Sequence, residues 1–107
     1  MEIVFEEESL KELYEKGTTR DKKYRFLQQD IVKRFVRTIN VLKSADKIET
    51  LFLINSLNYE KLVGDKKGIE SVRVSYKYRL EFRSQTEGQP PNLIVICNII
   101  ELSNHYS

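Results

Sequence analysis

Hydrophobic positions along the chain recur at two spacings, every second residue or every third to fourth, which predicts a mixture of strands and helices. The segment from Ile3 to Phe5 is short and rich in β-branched and aromatic side chains, so it predicts a first strand. Ser9 is predicted to cap a short helix because Glu12 follows three residues later. Gly17 is predicted to end that helix.

The strongest helical signal runs from about Lys22 to Lys43. Its apolar side chains recur at steps of three and four: Tyr24, Leu27, Ile31, Phe35, Ile39 and Leu42. Basic side chains lie largely off this stripe, which predicts an amphipathic helix packed on a sheet. One helical turn is predicted within residues 48–54, and a short strand within residues 59–62.

The second half of the chain predicts antiparallel strands. Apolar and polar side chains alternate around Val72 and Val74, and again around Leu80 and Phe82. We expect Val72 to pair with Phe82 and Val74 with Leu80, across an odd-length connection centred on Lys77.

The same register assigns the polar side chains of this hairpin to one face. Arg73 is predicted to oppose Glu81, and Ser75 to oppose Arg79. This polar and basic face is the candidate working surface.

Residues 84–92 predict an exposed loop. The segment from Leu93 to Ile100 is apolar at both alternating positions and predicts a central strand, which delivers the C-terminal residues to the rim of the sheet.

The elements predict an α+β fold, with a short N-terminal strand and two helices packed on an antiparallel sheet. We expect a single domain over residues 1–107.

Composition supports a folded chain, since 40% of its residues are hydrophobic and 32% are charged. The one cysteine, Cys97, lies in an apolar run, which favours a buried small side chain in a reducing compartment. The N-terminus lacks the basic and apolar regions of a secretion signal, and no segment has the length of a membrane span. We therefore expect a cytoplasmic protein with no membrane association.

The charged side chains are unevenly distributed along the chain. The net charge is only +2, but residues 61–83 hold seven basic and three acidic side chains. This local excess of positive charge on the predicted hairpin indicates a polyanionic partner.

The sequence offers groups for cleavage of an RNA backbone, which requires a base, cations facing the phosphate and an acid for the leaving oxygen. His105 is the only histidine, and an unperturbed imidazole has a pKa of about 6.5. Its terminal position is also that of a solvated side chain. Arg79 can offer two donors to a phosphate, or be an ordinary exposed strand arginine.

Aromatic and basic side chains near these groups suit RNA binding. Tyr76 and Tyr106 can stack on unpaired bases, although such tyrosines also cover sheet edges. Lys66 and Lys67 add general electrostatic attraction. One histidine and one cysteine make no metal-ligand cluster, so no metal or other cofactor is predicted.

Several segments carry a resemblance to a known family. Leu62-x-Gly-Asp-Lys-Lys-Gly68, the run from Ser71 to Val74 and Tyr78-Arg-Leu-x-Phe82 resemble the HigB and YoeB branch of the RelE toxin superfamily. The start from Ile3 to Ser9 and the ending His105-Tyr106 are similar to the same group.

This resemblance implies a ribosome-dependent mRNA endonuclease, neutralised by a cognate antitoxin protein. It implies that Glu60 is the base, Arg79 the phosphate clamp, His105 the acid, and Tyr106 a stacking or orienting residue. The remaining candidates for RNA binding are Lys61, Lys66, Lys67, Arg73 and Tyr76.

One position departs from the family pattern, because Val63 stands where a lysine is expected before Gly64. Loss of a cation at the phosphate costs on the order of 2–4 kcal/mol of transition-state stabilisation, by analogy with loss of an oxyanion donor. Lys61 or Lys66 can compensate; otherwise the toxin is weak or disabled.

Two other functions stay open at this point. The ParE branch resembles the same architecture and acts on DNA gyrase without cutting RNA. A non-catalytic RNA- or ribosome-binding module also agrees with Val63.

Overall fold

The computed structural model describes residues 1–104, so the candidate residues His105 and Tyr106 lie outside the described part of the chain. Its helices and strands, in chain order, are β1 (Glu2–Phe5), α1 (Glu8–Lys16), α2 (Gln29–Ser44), α3 (Ile48–Phe52), β2 (Glu60–Lys61), β3 (Glu70–Arg73), β4 (Tyr78–Glu87) and β5 (Ile94–Asn104). The strands form one sheet in the order β1-β5-β4-β3-β2. Neighbouring strands are antiparallel except β1 and β5, which are parallel. The predicted α+β class is confirmed.

The first helix begins two residues earlier than a cap at Ser9 requires. Glu7 is the extended residue before α1, and Ser9 is buried in the first turn. The Ser9 hydroxyl donates to the Glu7 carboxylate at 3.3 Å, so the prediction that Ser9 caps the helix is wrong. Gly17 ends α1 as predicted, with a φ of 75° and its N–H donating to the Leu13 carbonyl at 3.0 Å.

The second helix begins at Gln29, later than the predicted start at Lys22. The Asp21 carbonyl accepts the Tyr24 N–H at 3.1 Å, and the chain turns there without continuing as a helix. Tyr24 is nevertheless buried, and its hydroxyl accepts the Leu102 N–H at 3.2 Å. The apolar pattern therefore predicted the burial of Tyr24 correctly, but its prediction of a helical backbone before Gln29 was wrong.

One hydrophobic cluster joins α1 and α2 to one face of the sheet. Its fully buried side chains include Leu10, Phe35, Ile39, Leu42, Val72, Leu80, Phe82, Cys97 and Ile99. Burial raises the pKa of the Cys97 thiol to about 11, so the predicted role of Cys97 as a buried small side chain is confirmed. Within residues 1–104, no helix is both long and apolar enough to cross a membrane.

The β3–β4 hairpin has a different register from the predicted one. Val72 pairs with Leu80, and Arg73 pairs with Arg79. The predictions that Arg73 opposes Glu81 and that Ser75 opposes Arg79 are therefore wrong. The assignment of side chains to faces is unchanged, because the register differs by an even number of residues.

Hydrogen bonds in the hairpin connection explain this register. The N–H groups of Val74 and Ser75 donate to the Tyr78 carbonyl at 3.0 and 3.1 Å. The Ser75 hydroxyl accepts the N–H of Tyr78 at 3.2 Å and that of Lys77 at 3.3 Å. The connection is odd in length, as predicted, but is centred on Tyr76.

The long strands β4 and β5 form the middle of the sheet. Residues 84–87, predicted to belong to an exposed loop, continue β4 and pair with β5. The strand β5 lies between β1 and β4, which confirms the predicted central strand.

Candidate active site

The face of the sheet opposite the hydrophobic cluster carries polar side chains from three neighbouring strands. Val72 and Leu80 point into the core, so the alternating positions of β3 and β4 point the other way. We call this surface the open face and define it by Glu60, Ser71, Arg73, Arg79 and Glu81. Ser71 lies between Glu60 on β2 and Glu81 on β4 in the register.

Arg79 is the most enclosed cation of the open face. Its Nη2 lies 3.0 Å from Oε2 of Glu60, and the two side chains are 14% and 46% exposed. Among residues 1–104, neither Nε nor Nη2 of Arg79 has an aligned hydrogen-bond partner. Nη2 is thus paired with the charge of Glu60 without an aligned hydrogen bond, and the buried Nε has no acceptor. Because a buried donor without an acceptor costs free energy, this guanidinium is suited to bind an anion with two acceptor oxygens.

A second arginine faces the first. Arg73 is exposed and lies directly opposite Arg79 across the β3–β4 pair. Like charges at opposed positions of a sheet repel each other. An anion bound between them would remove this repulsion, which makes the pair a candidate phosphate site.

The structure separates the predicted lysines into two groups. Lys66 reaches the open face, where its Nζ lies 2.8 Å from Oε2 of the buried Glu81. Lys61 and Lys67 line a different surface, a groove that also contains Val63. Val63 is 83% exposed there, so of the two proposed replacements for the missing lysine, Lys66 is the one that contacts the open face.

The groove has a volume of about 880 Å³ and is bordered by α3, β2 and the following turn. Glu70 lies in it as a buried carboxylate. Its Oε1 accepts the Tyr59 hydroxyl at 2.6 Å, and its Oε2 accepts the Ser84 N–H and hydroxyl at 2.8 and 2.6 Å. This network was not predicted from the sequence, although the alternation around Val72 indicates that Glu70 shares the core face.

Tyr59 gives this network a measurable pH dependence. Burial and the hydrogen bond to the Glu70 carboxylate raise the pKa of the Tyr59 phenol. The unfolded chain therefore loses this proton first, near pH 10, so the stability that Tyr59 contributes is present below about pH 10 and declines above it.

We expect Tyr59→Phe to lower the free energy of unfolding at pH 8 by about 1.5–3 kcal/mol, because a hydrogen bond to a charged group is lost. The variant should also lose stability less steeply between pH 9 and 11 in urea denaturation. Tyr76→Phe is the matched control, since that ring is exposed and should change stability by less than about 0.5 kcal/mol. If the stability of Tyr59→Phe fell with pH in parallel with that of the wild type, the pH dependence assigned to Tyr59 would be wrong.

The described part of the chain contains no group of three or more His, Cys, Asp or Glu side chains placed to hold a metal ion. The catalytic candidates Glu60 and Arg79 are brought together. The predicted contribution of His105 and Tyr106 lies beyond Asn104, the last described residue.

Comparisons with known proteins agree with this architecture. A sequence profile of the HigB-like toxin family, the RelE-like toxin of type II toxin-antitoxin system HigB, matches residues 3–95. A YoeB/ParE toxin from Agrobacterium tumefaciens has a similar structure, with a TM-score of 0.56 and 20% identity over 99% of this chain and 100% of that one. No curated protein matches the sequence.

A YoeB-YefM complex from Staphylococcus aureus is also similar, with a TM-score of 0.54 and 22% identity over 99% of this chain and 98% of that one. These two likenesses support the fold. The match to the family profile covers most of the chain, including Glu60 and Arg79. The chain belongs to the family of HigB-like toxins, the RelE-like toxins of type II toxin-antitoxin systems.

Proposed function

We propose that this toxin is an mRNA endonuclease that acts on the ribosome and inhibits translation. The observation that carries the proposal is the enclosed guanidinium of Arg79, which has donors available and a carboxylate beside it on the open face. A phosphate that accepts from these donors would have a candidate base within the same cluster. This is the arrangement that transesterification of RNA requires.

The reaction assigns one role to each group. Glu60 takes the proton from the 2′-hydroxyl, whose oxygen forms a bond to phosphorus. Arg79 stabilises the charge on the phosphate oxygens, and Lys66 adds a cation at the same face. His105 gives a proton to the leaving 5′-oxygen as its bond to phosphorus breaks, which yields a 2′,3′-cyclic phosphate. Tyr106 stacks on or orients a base.

The partners follow from the same proposal. The similar protein from Staphylococcus aureus is described as a YoeB-YefM complex, and we infer an antitoxin protein for this chain. Ribosomes and messenger RNA are the targets, so the site of action is the cytoplasm. Residues 1–107 act as one catalytic domain that needs no metal ion.

A second candidate is inhibition of DNA gyrase. The similar protein from Agrobacterium tumefaciens is described as a YoeB/ParE toxin, and the ParE branch acts on gyrase. A gyrase inhibitor has no need for an acid and a base at the open face. Substitution of the proposed acid and base should therefore abolish the function of a nuclease but not that of a gyrase inhibitor. It should also leave simple RNA binding in place, which distinguishes binding from catalysis.

The test is cleavage of a message in a purified translation system, with and without ribosomes, mapped by primer extension. We expect cuts only on translated message, and about 10²- to 10⁴-fold slower cutting by Glu60→Gln and by His105→Ala. Glu15→Gln is the control for loss of an exposed carboxylate on α1.

Unchanged cutting in both Glu60→Gln and His105→Ala would show that the catalytic assignment is wrong. An intact message accompanied by altered DNA supercoiling would favour the gyrase candidate. Circular dichroism of each variant confirms that the fold is retained.

A further inference from the structure

A second basic site lies beside the open face, between α2 and the β3–β4 hairpin. It is a pocket of about 370 Å³, and Arg34, Arg37 and Arg73 are among the residues that line it. Tyr76 and the hydroxyl-bearing Thr38 also line it, and no acidic side chain of the described chain does. We call it the arginine pocket.

The charges of the arginine pocket are not neutralised within residues 1–104. None of the three arginines takes part in the ion pairs there, which involve Lys23, Lys66 and Arg79. Three arginines that line one concavity concentrate positive charge there, which raises the local concentration of anions. Guanidinium groups also match the geometry of phosphate oxygens.

Arg73 connects the pocket to the candidate active site. It lines the arginine pocket and lies opposite Arg79 in the hairpin. Side chains at opposed positions of an antiparallel pair start only about 5 Å apart. A nucleic acid with one phosphate at Arg79 can therefore continue past Arg73 towards Arg34 and Arg37.

The exposed ring of Tyr76 adds a feature that favours an unpaired strand. Tyr76 is 69% exposed at the edge of the pocket, and Nζ of Lys77 lies 5.6 Å from its ring centroid. An exposed aromatic ring beside cations is the usual platform for a base of a single strand. A free phosphate or a small anion would make no use of this ring.

We propose that the arginine pocket binds the backbone phosphates of single-stranded RNA adjacent to the phosphate that is cut. The inference rests on the proposed nuclease function, which places the cut phosphate at Arg79. It extends the recognition of message from the open face to α2. It also assigns RNA binding to Arg34 and Arg37, which sequence reasoning did not single out.

The test measures binding of 2′-O-methyl oligonucleotides, which lack the attacking hydroxyl, by fluorescence anisotropy. We expect the double variant R34A/R37A to bind an octanucleotide roughly tenfold more weakly and a trinucleotide with nearly unchanged affinity. Its plot of log affinity against log salt should be shallower by about 1.4, because two phosphate contacts are lost. The matched control is K11A/K33A, which removes two exposed helix cations outside the pocket.

Several results would overturn this proposal. Equal affinities and salt slopes for R34A/R37A and K11A/K33A would show that the pocket binds no RNA. Loss of affinity for vacant small ribosomal subunits, without loss for the octanucleotide, would assign the pocket to ribosomal RNA and exclude the path from Arg79.

The nuclease function and the pocket can fail separately. Weaker octanucleotide binding by R34A/R37A, together with an uncut message in the translation system, would retain the RNA-binding pocket and remove the nuclease function. Normal message cleavage by the toxin, together with unchanged octanucleotide binding by R34A/R37A, would retain the nuclease function and remove the RNA-binding pocket.

Discussion

Arg79→Ala is expected to slow message cleavage by about 10²- to 10³-fold, the effect of removing a donor that stabilises transition-state charge. The side chain is 14% exposed and lies 3.0 Å from Glu60, so no solvent cation can replace it in the same geometry. Arg79→Lys should retain an intermediate rate, because lysine keeps the charge and loses the planar pair of donors. Single-turnover cleavage on programmed ribosomes measures both variants.

The control for this prediction is Arg83→Ala. Arg83 lies on the same strand and is exposed, outside the cluster of Arg79 and Glu60. It should change the cleavage rate less than threefold, since exposed cations act mainly through general attraction. Equal losses in Arg79→Ala and Arg83→Ala would mean that Arg79 contributes only general charge.

Phe35→Ala is expected to lower the free energy of unfolding by about 3–5 kcal/mol. Phe35 is completely buried in the cluster between α2 and the sheet, so its removal leaves a cavity. A domain of this size has only about 5–15 kcal/mol of stability, and the variant should be close to unfolding at 37 °C. The urea midpoint, with the slope of the transition, provides the measurement.

Phe26→Ala is the matched control because it removes the same side chain from the surface. The Phe26 ring is 81% exposed and contacts the guanidinium of Arg25, with 4.6 Å from that group to the ring centroid. Its loss should cost less than about 1 kcal/mol. Similar urea midpoints for the two variants would contradict the packing described for Phe35.

The hairpin shows which information the sequence contains and which it lacks. Alternation around Val72 and Leu80 identified the two faces correctly, because side-chain direction depends only on parity. Parity cannot distinguish registers that differ by two residues. The hydrogen bonds of Ser75 and Tyr78 select the register, and they depend on the geometry of the connection.

The candidate site was predictable to a similar extent. The family resemblance identified Glu60 and Arg79, and the structure places them in contact. The sequence alone could not show which of Lys61 and Lys66 reaches the open face. The short 3-10 turn of residues 64–66 determines that Lys66 is the lysine that contacts Glu81. The arginine pocket combines residues of α2 and β3, so no local pattern indicates it.

The ion pair between Glu60 and Arg79 has a consequence for the order of events in the proposed reaction. Without RNA, the protein supplies its own counter-ion for Arg79, because the carboxylate of Glu60, the candidate base, is paired with that guanidinium. An arriving phosphate exchanges with the carboxylate for the guanidinium, which releases Glu60 to accept a proton. The substrate would thus free the base that deprotonates it, and a toxin without RNA would keep that base paired with Arg79.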